Sequence, residues 1–516
     1  MSAATMTEPA TADVFASAAE QAAEMSEYLA SKEALGRRHE ALEEYAEREG
    51  REWIRRMLQG HYDLRGAVER VVRARGRDGV LRTFLRPSSR PMLSIVGGLD
   101  IPRLAYQAQG VEGLHPMDAA LNLPCELYSH VVRRVVAERV ACDSYEEAAA
   151  AISDRTGVAI GKRQVEQMAA RASQDFDDFY ALREAAEENT RDLLVLTFDG
   201  KGIPMRREDL RPETRAAAEA TPKRLHTRLT KGEKRHRKRM AQVAAIYTVA
   251  PYARTPDDVL ADLRPVRDVE RDRNRPRPRA KRVWASLTKT PRAVIDDAFE
   301  QARRRDPSFK RTWVVLVDGN RDQLRLVKKA ARKLGVAVTI VVDLIHVIEY
   351  LWKAAYAFHQ DGSKEAEQWV QQRLMWLLQG EAAKVSDSLR RNARLAKLEG
   401  AALKPINTCL RYLRGVREYI AYNGALEAGL PIATGVIEGA CRYLVKDRME
   451  RTGARWSLVG AEAVLRLRAL RASGDFDEYW GFHLEREHQR NHLRHYADGK
   501  VPSPLPVIKP RLQRAK

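Results

Sequence analysis

The chain has 516 residues and a formal charge of +20, with 90 Lys and Arg against 70 Asp and Glu and an ordinary apolar share of 44%. That length builds more than one core, about three domains, and the composition excludes wholesale disorder. No apolar run approaches the ~18 residues that a bilayer span needs, so the basic excess points to nucleic acid rather than membrane as the polyanionic partner.

The opening residues, MSAATMTEPATADVF, lack the basic-then-apolar order of a secretory signal. Cys125, Cys142, Cys409 and Cys441 form no C-x-x-C pair and read as small, reduced core residues. Both features lead to the expectation of a cytoplasmic protein.

From residue 17 to about 75 the chain is rich in Ala, Glu, Arg and Leu, which predicts an amphipathic pair or triplet of helices. The character changes at Pro87–Pro91, and MLSIVGGLDIPRLAYQAQ then has the β-branched content and Gly-Gly turn of a hairpin. A helical pattern returns over 126–141. In residues 144–172 Ser144 and Glu147 form a capping box, Thr156-Gly157 a turn, and a basic helix opens near Lys162 and Arg163. This is the pattern of a helix-turn-helix, with a plain helical hairpin as the alternative.

LLVLTFDG, from Leu193, reads as a buried strand that ends at Asp199. Residues 223–239 hold nine Lys or Arg against one acid, among them Lys234, Arg235, Arg237, Lys238 and Arg239. Residues 264–282 hold nine against three, with prolines that argue against regular structure. MAQVAAIYTVAP between them predicts another strand. WVVLVDGN, RDQLRLVKKAARKLG and VAVTIVVDLIHV then form a β-α-β unit, which implies parallel strands and a right-handed crossover. Only helical pattern follows from about 344 to 425. Beyond Gly429-Leu430-Pro431, GVIEGACRYLVKDRMERTGARWS opens another helix, and the last 16 residues or so have no period.

Asp199, Asp318 and Glu438 share a context: two acids each followed by Gly at strand ends, and one just inside a helix between Gly435 and Gly439. Acids at the ends of neighbouring strands converge at one edge of a sheet, where α/β folds usually carry their sites. Hard oxygen donors suit Mg²⁺, and two such ions about 4 Å apart clamp the oxygens of a phosphoryl displacement. With a polyanionic partner, this predicts phosphodiester chemistry. Asp343, with His346 one turn on, is an alternative to Asp318, or a pair beside the metals, or only a helix cap next to a half-buried histidine. Arg442, Lys446, Arg448, Arg451 and Arg455 are candidates for phosphate contact. Trp456 is a candidate for base stacking or, alternatively, a core anchor.

TFDGKGIPM, KRMAQVAAIYTVAPYARTP, VVLVDGN, VVDLIHVIEYLWKAA and GVIEGACRYLVKDRMERTGARWS, in this order, resemble the ISKra-type insertion-sequence transposases. LDIPRLAYQAQGVEGLHPMDAALNLP and YSHVVRRVVAERVACDSYEEAA resemble the N-terminal half of that family, so the likeness covers roughly residues 90–490. The resemblance implies an α/β, ribonuclease-H-like catalytic core with an Asp-Asp-Glu triad (Asp199, Asp318, Glu438). It also implies an all-helical insertion before the glutamate-bearing helix and a mainly helical N-terminal DNA-binding region. The related Mutator-like enzymes carry Cys or Asp, two residues, then His after their second catalytic aspartate. Asp343-Leu344-Ile345-His346 has that shape, which favours Asp318 as the ligand.

The expected segments are a helical region to residue 90, a DNA-binding region over 91–190, and a first core part over 191–346. The insertion follows over 347–430, the glutamate-bearing part over 431–495, and a basic tail over 496–516. The expected activity is Mg²⁺- or Mn²⁺-dependent cleavage of element ends and strand transfer into target DNA, with two ions and a homodimer or larger assembly on double-stranded DNA. The alternatives are a nuclease without strand transfer and a catalytically silent DNA-binding protein.

Overall fold

A computed structural model describes residues 14–157, 159–184, 190–220, 225, 227, 237–263, 275–433, 435–451 and 453–505. The chain divides into two compact units, Met1–Phe179 with Phe476–Lys516, and Tyr180–Asp475. Among the described residues no helix is long and apolar enough to cross a membrane.

In the first unit, helices α1 (Ala16–Ala30), α2 (Lys32–Leu35) and α3 (His39–Ala67) precede the short pair β1 (Ala74–Arg75) and β2 (Leu81–Arg82). An antiparallel sheet follows in the order β3 (Phe84–Ser94), β4 (Gly97–Ala108), β5 (Val111–Leu114). The expected break at Pro87–Pro91 does not occur. Both prolines lie within β3, opposite Leu104 and Asp100. This strand is at the sheet edge, where a residue without an N–H leaves no ladder bond unmade.

After α4 (Pro116–Ala120), the helices α5 (His130–Val140), α6 (Tyr145–Thr156) and α7 (Lys162–Ala172) pack on one another, and α8 (Phe176–Leu182) follows. Ser144 and Glu147 make both bonds of the capping box, and Gly157 ends α6 in the left-handed conformation at φ 70°. The helix Phe476–Asn491, which the sequence reading puts with the glutamate-bearing segment, belongs to this unit. Its residues Glu487 and His483 bond the fully buried Arg133 of α5 at 2.7 and 3.3 Å.

The second unit is mixed α/β. Its strands are β6 (Leu193–Pro204), β7 (Lys238–Val249), β8 (Arg279–Ser286), β9 (Trp313–Val317) and β10 (Val338–Val342), in the sheet order β10-β9-β6-β7-β8. The β6-β7-β8 half is antiparallel, whereas β6, β9 and β10 run parallel. Helices α9 (Pro212–Glu219) and α10 (Pro256–Asp262) lie in the connections around β7. The crossovers α11 (Pro291–Arg305) and α12 (Arg321–Leu334) lead into β9 and β10.

Two local expectations change. β6 does not end at Asp199 but runs on to Pro204, because β7 pairs with it as far as Pro204↔Lys238. The basic stretch 264–282 ends inside β8. Once past Pro278 nothing blocks an extended chain, and Arg282 is buried between the rings of Tyr180 and Trp284, at 3.5 and 4.4 Å from their centroids.

From Leu344 the chain is helical, as the pattern predicts. The helices are α13 (Leu344–Ala355), α14 (Lys364–Leu378), α15 (Ala382–Leu395), α16 (Gly400–Gly415) and α17 (Tyr422–Glu427). α18 (Gly435–Ala440) carries Glu438 and continues into a π-helical turn at Cys441–Lys446 and a short α19 (Asp447–Met449). α20 (Leu458–Ser473) then packs along β8.

Candidate active site

Strand register brings three aspartates level. Leu194 pairs with Trp313, and Trp313 with Val338. Counting five residues on from each reaches Asp199, Asp318 and Asp343, on three neighbouring parallel strands spaced about 4.8 Å apart. All three lie just past the end of the parallel pairing, where Asp318 and Asp343 leave their strands while Asp199 is still paired with β7.

Each has a defined local setting. One Asp199 oxygen accepts from the Gly200 N–H, and the other accepts from the Cys441 thiol at 3.1 Å. Asp318 accepts from the Asn320 N–H at 2.8 Å, and its backbone carbonyl accepts from the Tyr412 hydroxyl at 2.9 Å. Asp343 is buried and caps α13 by accepting from the Ile345 N–H at 2.9 Å, while its own N–H donates to Val317. The cap reading of Asp343 is therefore real, but it does not take the residue out of the cluster.

Glu438 joins from α18. Loss of solvent around its carboxyl raises the pKa first, and the negative charges of Asp343, Asp199 and Glu349 raise it further, against an opposing effect of His346. The charges of Asp343 and Asp199 thus reach the Glu438 carboxyl. Among the described residues, no three His, Cys, Asp or Glu side chains stand close enough together to hold a metal ion as they are.

The helices that follow β10 brace this edge. Tyr412 of α16 holds the carbonyl of Asp318 and stacks on Tyr350 of α13 with centroids 3.9 Å apart, and the buried Tyr422 of α17 donates to Val342 O at 2.8 Å. Gly319, at φ 85°, leaves room for this contact, since a Cβ there would come within 2.7 Å of Val416 and 3.2 Å of Tyr412. Gly319→Ala should therefore cost about 1–3 kcal/mol through backbone strain and overlap, measured by urea unfolding.

Cys441 and Lys201 were not singled out by the sequence reading as site residues. Cys441 follows Glu438 by one helical turn, and Lys201 follows Asp199 by one strand repeat, so both share the faces of the acids they follow. The Cys441 thiol is pushed far up by burial and by Asp199, with Lys201 opposing, so it stays protonated and acts as a hydrogen-bond donor.

The expected DNA-contacting residues divide. Arg163 is exposed, and Lys162 pairs with Glu146 at 2.9 Å, both at the start of α7. Lys234 and Arg235 lie outside the described residues. Arg237 is half-buried, and Lys238 pairs with Glu450. Arg239 turns inward to the carbonyls of Leu287 and Asp209, at 3.1 and 3.2 Å, which removes it from the expected set.

Arg442, Lys446, Arg451 and Arg455 are exposed. Arg448 and Trp456 are not: they are 3% and 6% accessible, the guanidinium lies 4.7 Å over the indole, and the indole N–H donates to Met449 O. Two causes act here. The π turn shifts the helical phase after Cys441, and Trp456 exchanges backbone bonds with Pro204 and Arg206 beyond the end of β6. Trp456 is thus the core anchor rather than the base-stacking ring, and Arg448 is its packing partner rather than a phosphate contact.

Comparison with known proteins returns no matching family model and no matching curated protein.

Proposed function

We propose that the chain is a DNA transposase of the ISKra type, with a ribonuclease-H-like core that cleaves element ends and transfers strands through Asp199, Asp318 and Glu438. The observation that carries the reading is the row of Asp199, Asp318 and Asp343 on β6, β9 and β10, with Glu438 electrostatically coupled to two of them. The β10-β9-β6-β7-β8 order supports the core assignment, because an antiparallel three-strand meander extended by two parallel strands is the ribonuclease-H arrangement.

The donors fit a hard divalent cation. They are carboxylate oxygens at one level of the sheet, and the charges of Asp343, Asp199 and Glu349 add to desolvation in raising the Glu438 carboxyl, a repulsion that a cation would offset. Asp199, Asp318 and Glu438 would hold it, with Asp343 next to them. When bound, Mg²⁺ or Mn²⁺ supplies charge neutralisation at the scissile phosphate and acidifies the attacking water or 3′ hydroxyl. The protein's own groups do the rest. The Cys441 thiol fixes one oxygen of Asp199, Tyr412 fixes the turn of Asp318, and the exposed Arg442, Lys446, Arg451 and Arg455 orient the phosphate backbone. Helices α5–α7 read the element end from the first unit, and a dimer or larger assembly on double-stranded DNA holds two ends together.

The test incubates labelled element-end DNA, target plasmid and Mg²⁺ with the wild type and with Ala variants at 199, 318, 343 and 438. Loss of both cleavage and joining at 199, 318 and 438, with residual activity at 343, supports the assignment. An inactive 343 variant beside an active 318 variant moves the second ligand to Asp343. Cleavage without joined product replaces the transposase with a nuclease, and metal-independent binding alone leaves a DNA-binding protein.

Cys441 gives a finer prediction. Cys441→Ala should lower the cleavage rate about tenfold and raise the Mg²⁺ concentration for half-maximal rate, on the order of one lost hydrogen bond to a charged group. Cys441→Ser should restore both, because the hydroxyl still donates. Equal loss in the two variants would mean that the thiol only fills space.

A further inference from the structure

The basic faces of α12 and α16 meet beside the candidate site. α16 has 16 residues without one acid, and it carries Arg411 and Arg414, followed by Arg417. α12 carries the exposed Arg321 and Lys329, while its Leu324, Val327, Ala330 and Ala331 are buried. All five cations are exposed, and among the described residues none of them is in an ion pair. The acids nearby are already engaged: Asp322 with Arg325 at 3.0 Å, and Glu418 with Lys328 at 3.7 Å.

Specific contacts join α12 to the end of α16 and to the turn that follows it. A Cβ on Gly415 would lie 3.9 Å from the Arg321 guanidinium, and the Lys328 ammonium lies 5.1 Å from the centre of the Tyr419 ring. Both helices are also tied to Asp318. α12 begins three residues after it, and Tyr412, between Arg411 and Arg414, holds its carbonyl.

We propose that this belt (Arg321, Lys329, Arg411, Arg414 and Arg417) is a second DNA-binding surface, which grips the phosphate backbone of a duplex where it flanks the site. The helical insertion is then a substrate-binding element as well as a brace for Asp318. An ordinary solvated face mixes both signs, so that its fields cancel locally. Here the two acids, Asp322 and Glu418, are paired with Arg325 and Lys328, so the five further cations leave a positive excess, which is what a sequence-independent polyanion contact requires. The geometry is adequate: Arg411 to Arg417 covers about 9 Å at 1.5 Å per residue, a length that faces about five charges on a duplex with one charge per ~1.7 Å.

This inference rests on the reading that DNA is the substrate, and the experiment separates the two. Binding of a labelled 40-base-pair duplex of arbitrary sequence is followed by anisotropy across a salt series. The proteins are the full-length wild type, Arg411→Gln/Arg414→Gln/Arg417→Gln, and a charge-matched control, Lys364→Gln/Lys384→Gln/Arg390→Gln. Each lost phosphate contact reduces the slope of log K against log salt by about 0.9. The belt variant should therefore lose about two to three units of slope and at least tenfold in affinity, while the control stays near wild type.

Equal slopes and affinities for belt variant and wild type overturn the belt and leave the transposase reading standing. A belt-dependent slope in a protein without Mg²⁺-dependent cleavage keeps the surface and overturns the enzyme. A wild type that binds no duplex overturns both.

Discussion

Asp199→Asn and Glu438→Gln should each reduce single-turnover cleavage of element-end DNA by about 10³-fold or more, a loss of about 4 kcal/mol of transition-state stabilisation. The physical reason lies in what the acids do to one another. Burial, Asp343 and Asp199 together push the Glu438 carboxyl above its ordinary range, so the folded protein holds negative charges that repel. A residue that only capped or packed would lose stability when neutralised. Glu438→Gln should not, because relief of repulsion at that carboxyl favours the folded state. In metal-free buffer Glu438→Gln should melt at or above the wild-type temperature while its cleavage is lost.

The sign with pH follows from the same shift. A raised carboxylate pKa means that protons compete with the cation above the range of an ordinary glutamate. Metal-dependent cleavage should therefore rise with pH through that elevated value. As Asn, residue 199 keeps one acceptor oxygen, so it retains either the bond from Cys441 or the one from the Gly200 N–H but not both, and the substitution removes the charge together with one hydrogen bond. A destabilised, inactive Asp199→Asn would instead mark the carboxylate as a structural group.

Arg133→Met should destabilise the first unit by about 3–5 kcal/mol, since it removes one partner of a buried ion pair. Arg133 is wholly buried. It donates to Glu487 at 2.7 Å and to His483 at 3.3 Å, and His483 in turn holds Asp175 at 2.7 Å. Burial alone would raise the Glu487 carboxyl, but the Arg133 guanidinium outweighs it, with further help from His483 and Arg490, and the pKa is held down at about 2.

The folded pKa of Glu487 thus lies below the unfolded one of about 4.3. Its contribution is complete above that value and is lost as the pH falls toward 2. In Arg133→Met the buried Glu487 has lost its main counter-charge. The gap between variant and wild type should be widest near neutrality and should narrow as the pH falls below about 4. Hydrogen exchange of α5 and of the helix Phe476–Asn491 across that range measures it, and a gap independent of pH would assign the loss to packing alone.

Much of the local structure is legible in the sequence because its causes are local. The Ser144–Glu147 box and Gly157 delimit α6, hydrophobic period and caps delimit α12 and the helices of the insertion, and apolar runs mark β6, β9 and β10. The order of the acids along the chain is equally plain. Their alignment is not, because it depends on the register of β6 against β9 and of β9 against β10, which only long-range pairing sets.

The tertiary structure decided the remaining points for the same reason. Pro87 and Pro91 are tolerated in β3 because that strand is at the sheet edge and its one bridge on the far side, Leu93 to Tyr128, lies beyond both prolines, and Asp199 lies within β6 because β7 pairs beyond it. Arg448 and Trp456 turn inward because a π turn shifts the helical phase and the end of β6 captures Trp456. The Cys441–Asp199 bond joins residues far apart in the chain, and no period in the sequence encodes it. Propensity, capping and period are written within a few residues of where they act, whereas register, burial and the partner of a polar atom belong to the assembled sheet and its helices.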